Sequence, residues 1–339
     1  MGETGRNAET RKRRKDLRRH LRYYLLALPL IAVFTRLPLC VARRTGWLGG
    51  TIGWVFARTS RRRAMENLRR VWGNEKSPAE LRRICRGVFR NTAINVCEMA
   101  AIFRWPIEKI RRAFPNDERL QGFKLFEDRP AVIITGHFGN WELLGYLAAV
   151  HFPGWVVPVV RRIYFPKFQE LVERFRTKVG MEVVYTDESP RRVLQVLREG
   201  KLVALLPDQD LKVVNGEFVD FFGRPAYTST TPVHLALNRN VSLNAFFLLR
   251  EGWNYRVLSE RIELSRTGNR EQDLIENTQR WTRLFEETIR RHPDQWVWFH
   301  RRWRTQPEDL ARRTVTFQER SARRRERAER SAPGSGGES

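Results

Sequence analysis

The distribution of apolar and polar positions changes character at Pro130. Beyond this residue, short apolar runs rich in β-branched side chains alternate with stretches of helical periodicity. The runs that predict strands are residues 131–135, 156–160, 183–185, 202–206 and 241–249. Strands that alternate with helices are typical of a sheet covered by helices on both faces. The pattern therefore predicts an α/β domain, and a chain of 339 residues is long enough for one large core.

Apolar residues at helical spacing flank this alternation on both sides. Residues 78–104 predict a helix pair ahead of the sheet, and residues 269–291 predict a long amphipathic helix behind it. The apolar run 296–299 predicts a short buried strand or turn. Residues 311–339 mix arginine with glutamate and end in serine and glycine, which predicts a solvated helix that frays into disorder.

The N-terminal part of the chain has the character of a membrane-binding segment. Residues 1–22 are basic, residues 23–42 are mostly apolar, and residues 45–71 place tryptophans beside arginines, which suits the headgroup region of a bilayer. Because basic residues lie on both sides of the apolar stretch, a spanning helix and an interfacial helix pair both remain open. The expected organisation is a basic segment (1–22), a membrane-associated helical segment (23–60), a main catalytic domain (61–310) and a charged tail (311–339).

Composition narrows the range of functions. The chain has 63 Lys and Arg against 38 Asp and Glu, and its charge of +25 would attract nucleic acid, an anionic membrane or an acidic protein. The arginines cluster beside aromatic segments without a zinc-finger, RNP or helix-turn-helix pattern, so nucleic acid is not expected as a partner. Three cysteines without metal-ligand spacing favour a reducing, cytosol-facing environment. The absence of H-E-x-x-H and G-x-S-x-G argues against a metallohydrolase and a serine nucleophile.

A strand-to-helix turn carries the main candidate for chemistry. The segment Gly-His-Phe-Gly-Asn-Trp-Glu, residues 136–142, directly follows the first predicted strand and precedes a helical stretch. In one regular helix His137 and Glu142 would lie about 140° apart, because each residue turns the helix by roughly 100°. The two glycines permit a tight turn and Asn140 can cap the helix, so His137 can instead fold back toward Glu142.

This arrangement predicts a general base with a carboxylate partner. A carboxylate bound to one imidazole nitrogen fixes the tautomer and leaves the other nitrogen to take a proton from a hydroxyl. We therefore interpret His137 as the base and Glu142 as its partner. The alternative is a satisfied turn histidine followed by an ordinary first-turn acid, which the helix dipole favours.

Polar residues also follow two other predicted strands. Arg161 comes directly after the strand 156–160, and Asp208, Gln209 and Asp210 come shortly after the strand 202–206. Open α/β sheets bind ligands outside the carboxyl ends of their strands. These groups are therefore candidates for a substrate site, against the alternative of a solvated arginine and a polar turn.

Four motifs in this order resemble one known family. They are residues 136–142, residues 207–210, Phe-Phe-Gly-Arg-Pro-Ala at 221–226 with Thr228, and His-Arg-Arg-Trp at 300–303. Together they resemble the bacterial lipid A biosynthesis acyltransferase family, the late lauroyl and myristoyl transferases of lipopolysaccharide assembly. The resemblance covers about residues 20 to 307.

The resemblance implies a fold, a chemistry and a cellular place. The implied fold is a glycerolipid-acyltransferase-like mixed sheet flanked by helices, with a membrane-anchoring N-terminal segment. The implied reaction moves an acyl chain from acyl carrier protein to a hydroxyl of a lipid A precursor, without cofactor or metal, at the cytoplasmic face of the inner membrane. Implied site residues are the catalytic His137 and Glu142 and the substrate-binding Arg161, Asp208, Gln209 and Arg301.

The acceptor and the details of transfer stay open at this stage. This chain has Arg162 and Asn244 where family members usually have proline, and another glycolipid, such as a phosphatidylinositol mannoside, is the alternative acceptor. Without an evident nucleophile, the acceptor hydroxyl is expected to attack the thioester directly. The candidate donors to the resulting oxyanion are the backbone N–H groups of the turn before Asn140 and the Arg161 guanidinium.

Overall fold

The computed structural model describes residues 32–163, 166–188, 190–210 and 215–309. The predictions for residues 1–22, for 23–31 and for the tail from residue 311 therefore lie outside the described residues. The helices in the described part are α1 (Leu39–Phe56), α2 (Arg58–Trp72), α3 (Pro78–Ile102), α4 (Ile107–Ala113), α5 (Trp141–His151), α6 (Pro166–Lys178), α7 (Pro190–Arg198), α8 (Thr231–Arg239) and α9 (Arg270–Arg291), with a 3₁₀ helix at Glu118–Glu127. The strands are β1 (Ala131–Ile134), β2 (Val156–Val160), β3 (Val184–Tyr185), β4 (Leu202–Leu205), β5 (Gly216–Asp220), β6 (Pro225–Ser229), β7 (Ser242–Glu251) and β8 (Asn254–Ile262).

The central sheet is mixed, as expected. Its strand order is β3-β2-β4-β1-β7-β8, and each pair is parallel except β7 with β8. In β1, Val132 and Ile134 belong to one buried core whereas Ala131 and Ile133 belong to another. Alternate residues of a strand point to opposite faces, so helices cover the sheet on both sides. The five predicted strands and the amphipathic helix α9 are confirmed.

The predicted helix pair at residues 78–104 is wrong, because one continuous helix, α3, occupies this stretch. Ser77 begins it with a capping box: its hydroxyl accepts from the Glu80 N–H, and the Glu80 carboxylate accepts from the Ser77 N–H. Gly87 does not break the helix. An added Cβ there would lie 2.6 Å from the Asp294 Cβ, so this glycine permits a close approach of the chain.

Helix α1 packs backbone to backbone on α3. A Cβ at Gly46 would lie 2.7 Å from the Ile94 Cα, and one at Gly50 would lie 2.5 Å from the Arg90 Cα. In the described ranges, which begin at residue 32, no helix is both long enough and apolar enough to cross a bilayer. The predicted membrane-anchoring segment is thus not supported as a spanning helix in its described part, and α1 is instead a helix docked on the main domain.

Candidate active site

The sheet brings two predicted groups to one edge. β1 and β4 are parallel neighbours in register from Ala131 with Leu202 to Ile134 with Leu205. The Thr135 N–H continues the pairing by donating to the Leu205 carbonyl over 2.9 Å. Because both strands end at the same edge, the segments that follow them, which contain His137 and Asp208, lie side by side.

The turn after β1 is tightly constrained. Gly139 has φ +55°, and an added Cβ would collide with the Leu248 carbonyl oxygen, so only glycine fits here. The Asn140 side-chain oxygen accepts from the Leu143 N–H over 3.1 Å and caps α5, as predicted. The turn therefore holds its backbone in one conformation.

Asp208 is the carboxylate that contacts His137. Its Oδ1 lies 2.9 Å from His137 Nδ1, and its Oδ2 accepts from the His137 backbone N–H over 2.8 Å. The Trp296 indole N–H also donates to Oδ2, over 3.0 Å. The Asp208 side chain is only 2% exposed and the His137 side chain 25%, so the pair is shielded on the carboxylate side and open on the imidazole side.

The electrostatics of the pair favour an ionised Asp208. Burial alone would raise the pKa of Asp208, but the His137 charge and hydrogen bonds, with His300, hold it well below its usual range. Burial lowers the pKa of His137, whereas the charge and hydrogen bond of Asp208, and then the Glu142 charge, raise it above its ordinary value. An ionised Asp208 keeps the proton on Nδ1, which leaves Nε2 as the proton acceptor.

The predicted contact between His137 and Glu142 is replaced by the contact with Asp208. Glu142 is exposed on the first turn of α5, and in the described residues no hydrogen bond joins it to His137. Its described influence on the imidazole is that of a nearby negative charge. The physical reason is topological: the carboxyl end of β4 delivers a buried acceptor directly beside the turn. A catalytic role of Glu142 stays a prediction.

The other predicted residues divide into two groups. The Gln209 amide nitrogen lies 3.2 Å from both ring nitrogens of His137, so the amide packs against the imidazole. Arg161 and Arg301 are exposed and make no hydrogen bond to His137 or Asp208 in the part of the chain that the structure describes. The structure thus assembles His137, Asp208 and Gln209 and leaves the two arginines at the surface.

Two aromatic residues at the site were not predicted as site residues. Trp296 forms a bridge with Phe138 and holds Asp208 through its indole N–H. His300 packs edge-on against Trp296 with ring centroids 4.7 Å apart, and its centroid lies 6.5 Å from that of His137. Burial lowers the pKa of His300 to about 4, so this second imidazole is neutral at physiological pH. The apolar run 296–299 and the His-Arg-Arg-Trp motif were the available signals.

Several of the backbone N–H groups predicted as oxyanion donors already have acceptors. The N–H groups of His137, Gly139 and Asn140 donate to Asp208, Gln295 and Leu248 respectively. In this structure these three donors therefore serve the turn itself, and backbone stabilisation of the oxyanion stays a prediction. Arg161 stays a candidate, since it follows β2 at the same sheet edge.

No group of three or more His, Cys, Asp or Glu side chains in residues 32–163, 166–188, 190–210 or 215–309 is placed to bind a metal ion.

An imidazole that is oriented by a buried ionised carboxylate at the carboxyl edge of an α/β sheet can act as a general base and activate a hydroxyl for group transfer. The chain belongs to the bacterial lipid A biosynthesis acyltransferase family, whose sequence model matches residues 11–305. This confirms the resemblance carried by the four motifs. Acyltransferase activity in lipid A biosynthesis is the function that this membership supports.

Curated relatives align over most of the chain. The Escherichia coli lipid A biosynthesis palmitoleoyltransferase is 24% identical over 299 residues, which is 85% of this chain and 94% of the relative. The Escherichia coli lipid A biosynthesis lauroyltransferase is 25% identical over 305 residues, 87% of this chain and 96% of the relative. A lipid A biosynthesis acyltransferase of Haemophilus influenzae is 24% identical over 272 residues, 77% of this chain and 85% of the relative.

Proposed function

We propose that this protein transfers a fatty acyl chain from acyl carrier protein to a hydroxyl of a lipid A precursor, with His137 as general base. The observation that carries the proposal is the hydrogen bond between His137 Nδ1 and the buried Asp208 carboxylate in a chain of this family. It leaves Nε2 on the side of the ring away from Asp208, in a side chain that is 25% exposed. The relatives are named as palmitoleoyl- and lauroyltransferases of lipid A biosynthesis, which supports a fatty acyl group as the transferred group and lipid A as the acceptor class.

The proposed reaction is a direct displacement. The acceptor hydroxyl oxygen bonds to the thioester carbonyl carbon while His137 Nε2 takes its proton. The resulting imidazolium is stabilised by the Asp208 charge. When the tetrahedral intermediate collapses, the carbon–sulfur bond breaks and the proton passes from Nε2 to the departing thiolate. Arg161 is the proposed stabiliser of the oxyanion, since a guanidinium supplies both charge and N–H donors.

The first prediction tests donor and acceptor together. Purified protein, incubated with acyl carrier protein charged with a fatty acid and a lipid A precursor, should add the mass of one acyl ester to the precursor. Because the chain carries +25 and carrier protein is acidic, the donor KM should rise with salt as electrostatic steering is screened. Acyl-CoA should be the poorer donor. Equal KM values for the two donors without a salt effect would exclude carrier-protein recognition.

We further propose that α1 lies at the cytoplasmic surface of the inner membrane. Five apolar side chains of α1 are at least 45% exposed: Trp47, Leu48, Ile52, Val55 and Phe56. Arginines border them, and the Arg90 guanidinium stacks on the Trp47 ring at 4.2 Å from its centroid. An exposed apolar helix face bordered by arginines suits a bilayer with anionic headgroups. This interfacial placement does not need a spanning helix.

The second prediction concerns this face. Leu48→Glu and Ile52→Glu should each weaken binding to phosphatidylglycerol-containing vesicles by tenfold or more, because burial of such a side chain contributes about 1.5–3 kcal/mol. Substitution is preferable to deletion of α1, since its close packing on α3 makes deletion a threat to the fold. Ile275→Glu on α9, where Ile275 is 37% exposed, is the matched control. Co-sedimentation that is equal for all three variants would place the membrane contact elsewhere.

A further inference from the structure

A buried polar cluster contacts the turn between β1 and α5. Its centre is Glu98 on α3, whose side chain is 1% exposed. Arg43 of α1 donates to its carboxylate over 2.5 Å, Arg250 of β7 donates over 2.7 and 2.9 Å, and Tyr255 of β8 donates through its hydroxyl. Burial raises the pKa of Glu98, but the hydrogen bond and charge of Arg250, with the Arg43 charge, bring it below its ordinary value. Glu98 is thus an ionised acceptor in the protein interior.

The cluster reaches the turn through Asn140. The Asn140 Nδ2 donates to Glu98 Oε2 over 3.0 Å and lies 3.2 Å from the Tyr255 hydroxyl, while its Oδ1 accepts from the Leu143 N–H. An ionised carboxylate accepts hydrogen bonds and has no proton to donate. Glu98 therefore decides which end of the amide faces it, and leaves the amide oxygen to cap α5.

A second path runs through Arg250. Its guanidinium donates to the Asn95 Oδ1 over 2.7 Å, and the Asn95 Nδ2 donates to the Gly139 carbonyl over 2.5 Å. The backbone N–H and carbonyl of Arg250 bond to the Gln295 side chain over 2.8 and 2.9 Å. The backbone carbonyl of Gln295 in turn accepts from the Gly139 N–H over 2.9 Å. Both polar groups of the Gly139 backbone are thus held by partners of Arg250.

We propose that Glu98 is a positioning residue for acyl transfer. It holds the turn that carries His137. Through Arg250 it also holds Gln295, the residue directly before Trp296. Since the Trp296 indole fixes Asp208, both halves of the His137–Asp208 contact depend on this cluster. The expected loss of turnover rests on the proposed function. The expected change in the pKa of His137 does not, because it follows from the contacts within this chain.

Tyr255→Phe is the mildest test, because it removes one hydroxyl from the cluster and keeps the ring. We expect kcat to fall about tenfold with donor KM unchanged, since a misplacement of about 1 Å can cost on the order of 10²-fold. Tyr146→Phe on α5 is the matched control. The Tyr146 hydroxyl is also buried, but it has no hydrogen-bond partner in the described residues. Its loss should leave kcat and KM unchanged.

Asn140→Ser tests the link itself. A serine hydroxyl can still accept from the Leu143 N–H and cap α5, but the amide donor to Glu98 is lost. We expect the same fall in kcat at unchanged donor KM. Tyr255→Phe combined with Asn140→Ser should then be no worse than Asn140→Ser alone, because both changes break one chain of contacts. Strictly additive losses would contradict a shared path.

The decisive measurement does not need turnover. With ¹³Cε1-labelled histidine, an NMR titration should show a lower pKa for His137 in Tyr255→Phe and in Asn140→Ser than in the wild type, because a loosened contact with Asp208 raises this pKa less. Tyr146→Phe should titrate like the wild type. Lower melting temperatures with an unshifted His137 pKa and unchanged kcat would make the cluster merely structural and overturn the inference. A wild-type protein that transfers no acyl chain would defeat the proposed function alone, and the titration would still decide the inference.

Discussion

Replacing His137 with alanine should lower turnover by a factor on the order of 10² to 10⁴, the usual contribution of a positioned general base. The fold should persist, because the backbone of residue 137 keeps both of its bonds: the N–H donates to Asp208 over 2.8 Å and the carbonyl accepts from Val297 over 2.9 Å. Initial rates at saturating donor and acceptor, compared with the melting temperature, measure the two effects separately. A His137→Ala enzyme with near-normal turnover would remove the base from the mechanism.

Two further variants sharpen that result. His151→Ala removes a half-buried imidazole that bonds to the Phe114 carbonyl over 2.9 Å, and it should lower stability without a comparable loss of turnover.

Glu142→Gln removes the nearby charge without touching the His137–Asp208 hydrogen bond. The structure leads us to expect a smaller loss from Glu142→Gln than from a change at Asp208. An equally large loss would show that Glu142 is the partner of His137 during the reaction.

The sheet was largely predictable because its central strands are buried on both faces. β1 is buried at all four positions, so it reads as a continuous apolar run that ends at a glycine. The edge strand β8 alternates exposed and buried residues at its start and is exposed again near its end, and it was not predicted. The β5–β6 hairpin is also missing from the prediction, since β5 has one fully buried residue among five. The edge strand β8 and the β5–β6 hairpin thus lack the signal that marked the centre, whereas the other edge strand, β3, is buried at both positions and was predicted.

The candidate site was predicted as separate residues and not as an arrangement. His137, Asp208 and Gln209 each followed a predicted strand. The order in which the strands pair, however, cannot be predicted from the pattern of apolar and polar residues within each strand. The only carboxylate that a motif places near His137 is Glu142, five residues away. Asp208 becomes its neighbour because β4 lies beside β1.

The buried charges were the hardest features to foresee. Glu98 and Arg43 lie on helices where a charged residue usually marks the solvated face. Arg250 follows the apolar centre of β7 and reads as the end of a strand. Their burial is explained only when α1, α3 and β7 converge on one point, so no single segment reveals it.

The other large effect is expected for Asp208→Asn, because the hydrogen-bond donors around residue 208 fix the orientation of the asparagine amide. Asp208 Oδ2 accepts from two donors, the His137 backbone N–H and the Trp296 indole. The amide oxygen of an asparagine must take this place, which turns its NH₂ group toward His137 Nδ1. An NH₂ group donates, so Nδ1 becomes the acceptor and the imidazole proton moves to Nε2. The nitrogen that should take the hydroxyl proton is then already protonated.

We therefore expect Asp208→Asn to lower turnover by a factor on the order of 10² to 10⁴. The pH profile should change as well. Since the pKa of His137 is raised by Asp208 against the effect of burial, loss of this charge should lower that pKa. The base loses activity as pH falls through its pKa, so the acid limb of the rate profile should move to lower pH while the plateau drops. Rates measured across pH at saturating substrates test both changes.

Asp210→Asn is the matched control for this prediction. Asp210 is also buried, and its carboxylate accepts from the Arg304 N–H and from the N–H and hydroxyl of Thr305, over 3.0, 2.6 and 2.8 Å. Like Asp208, Asp210 is buried and accepts hydrogen bonds from backbone N–H groups. Unlike Asp208, it has no hydrogen bond to His137 in the described residues. Its replacement should lower the melting temperature and leave the acid limb in place. If both variants shift the limb equally, or if Asp208→Asn keeps a full plateau, the tautomer of His137 is not set by Asp208.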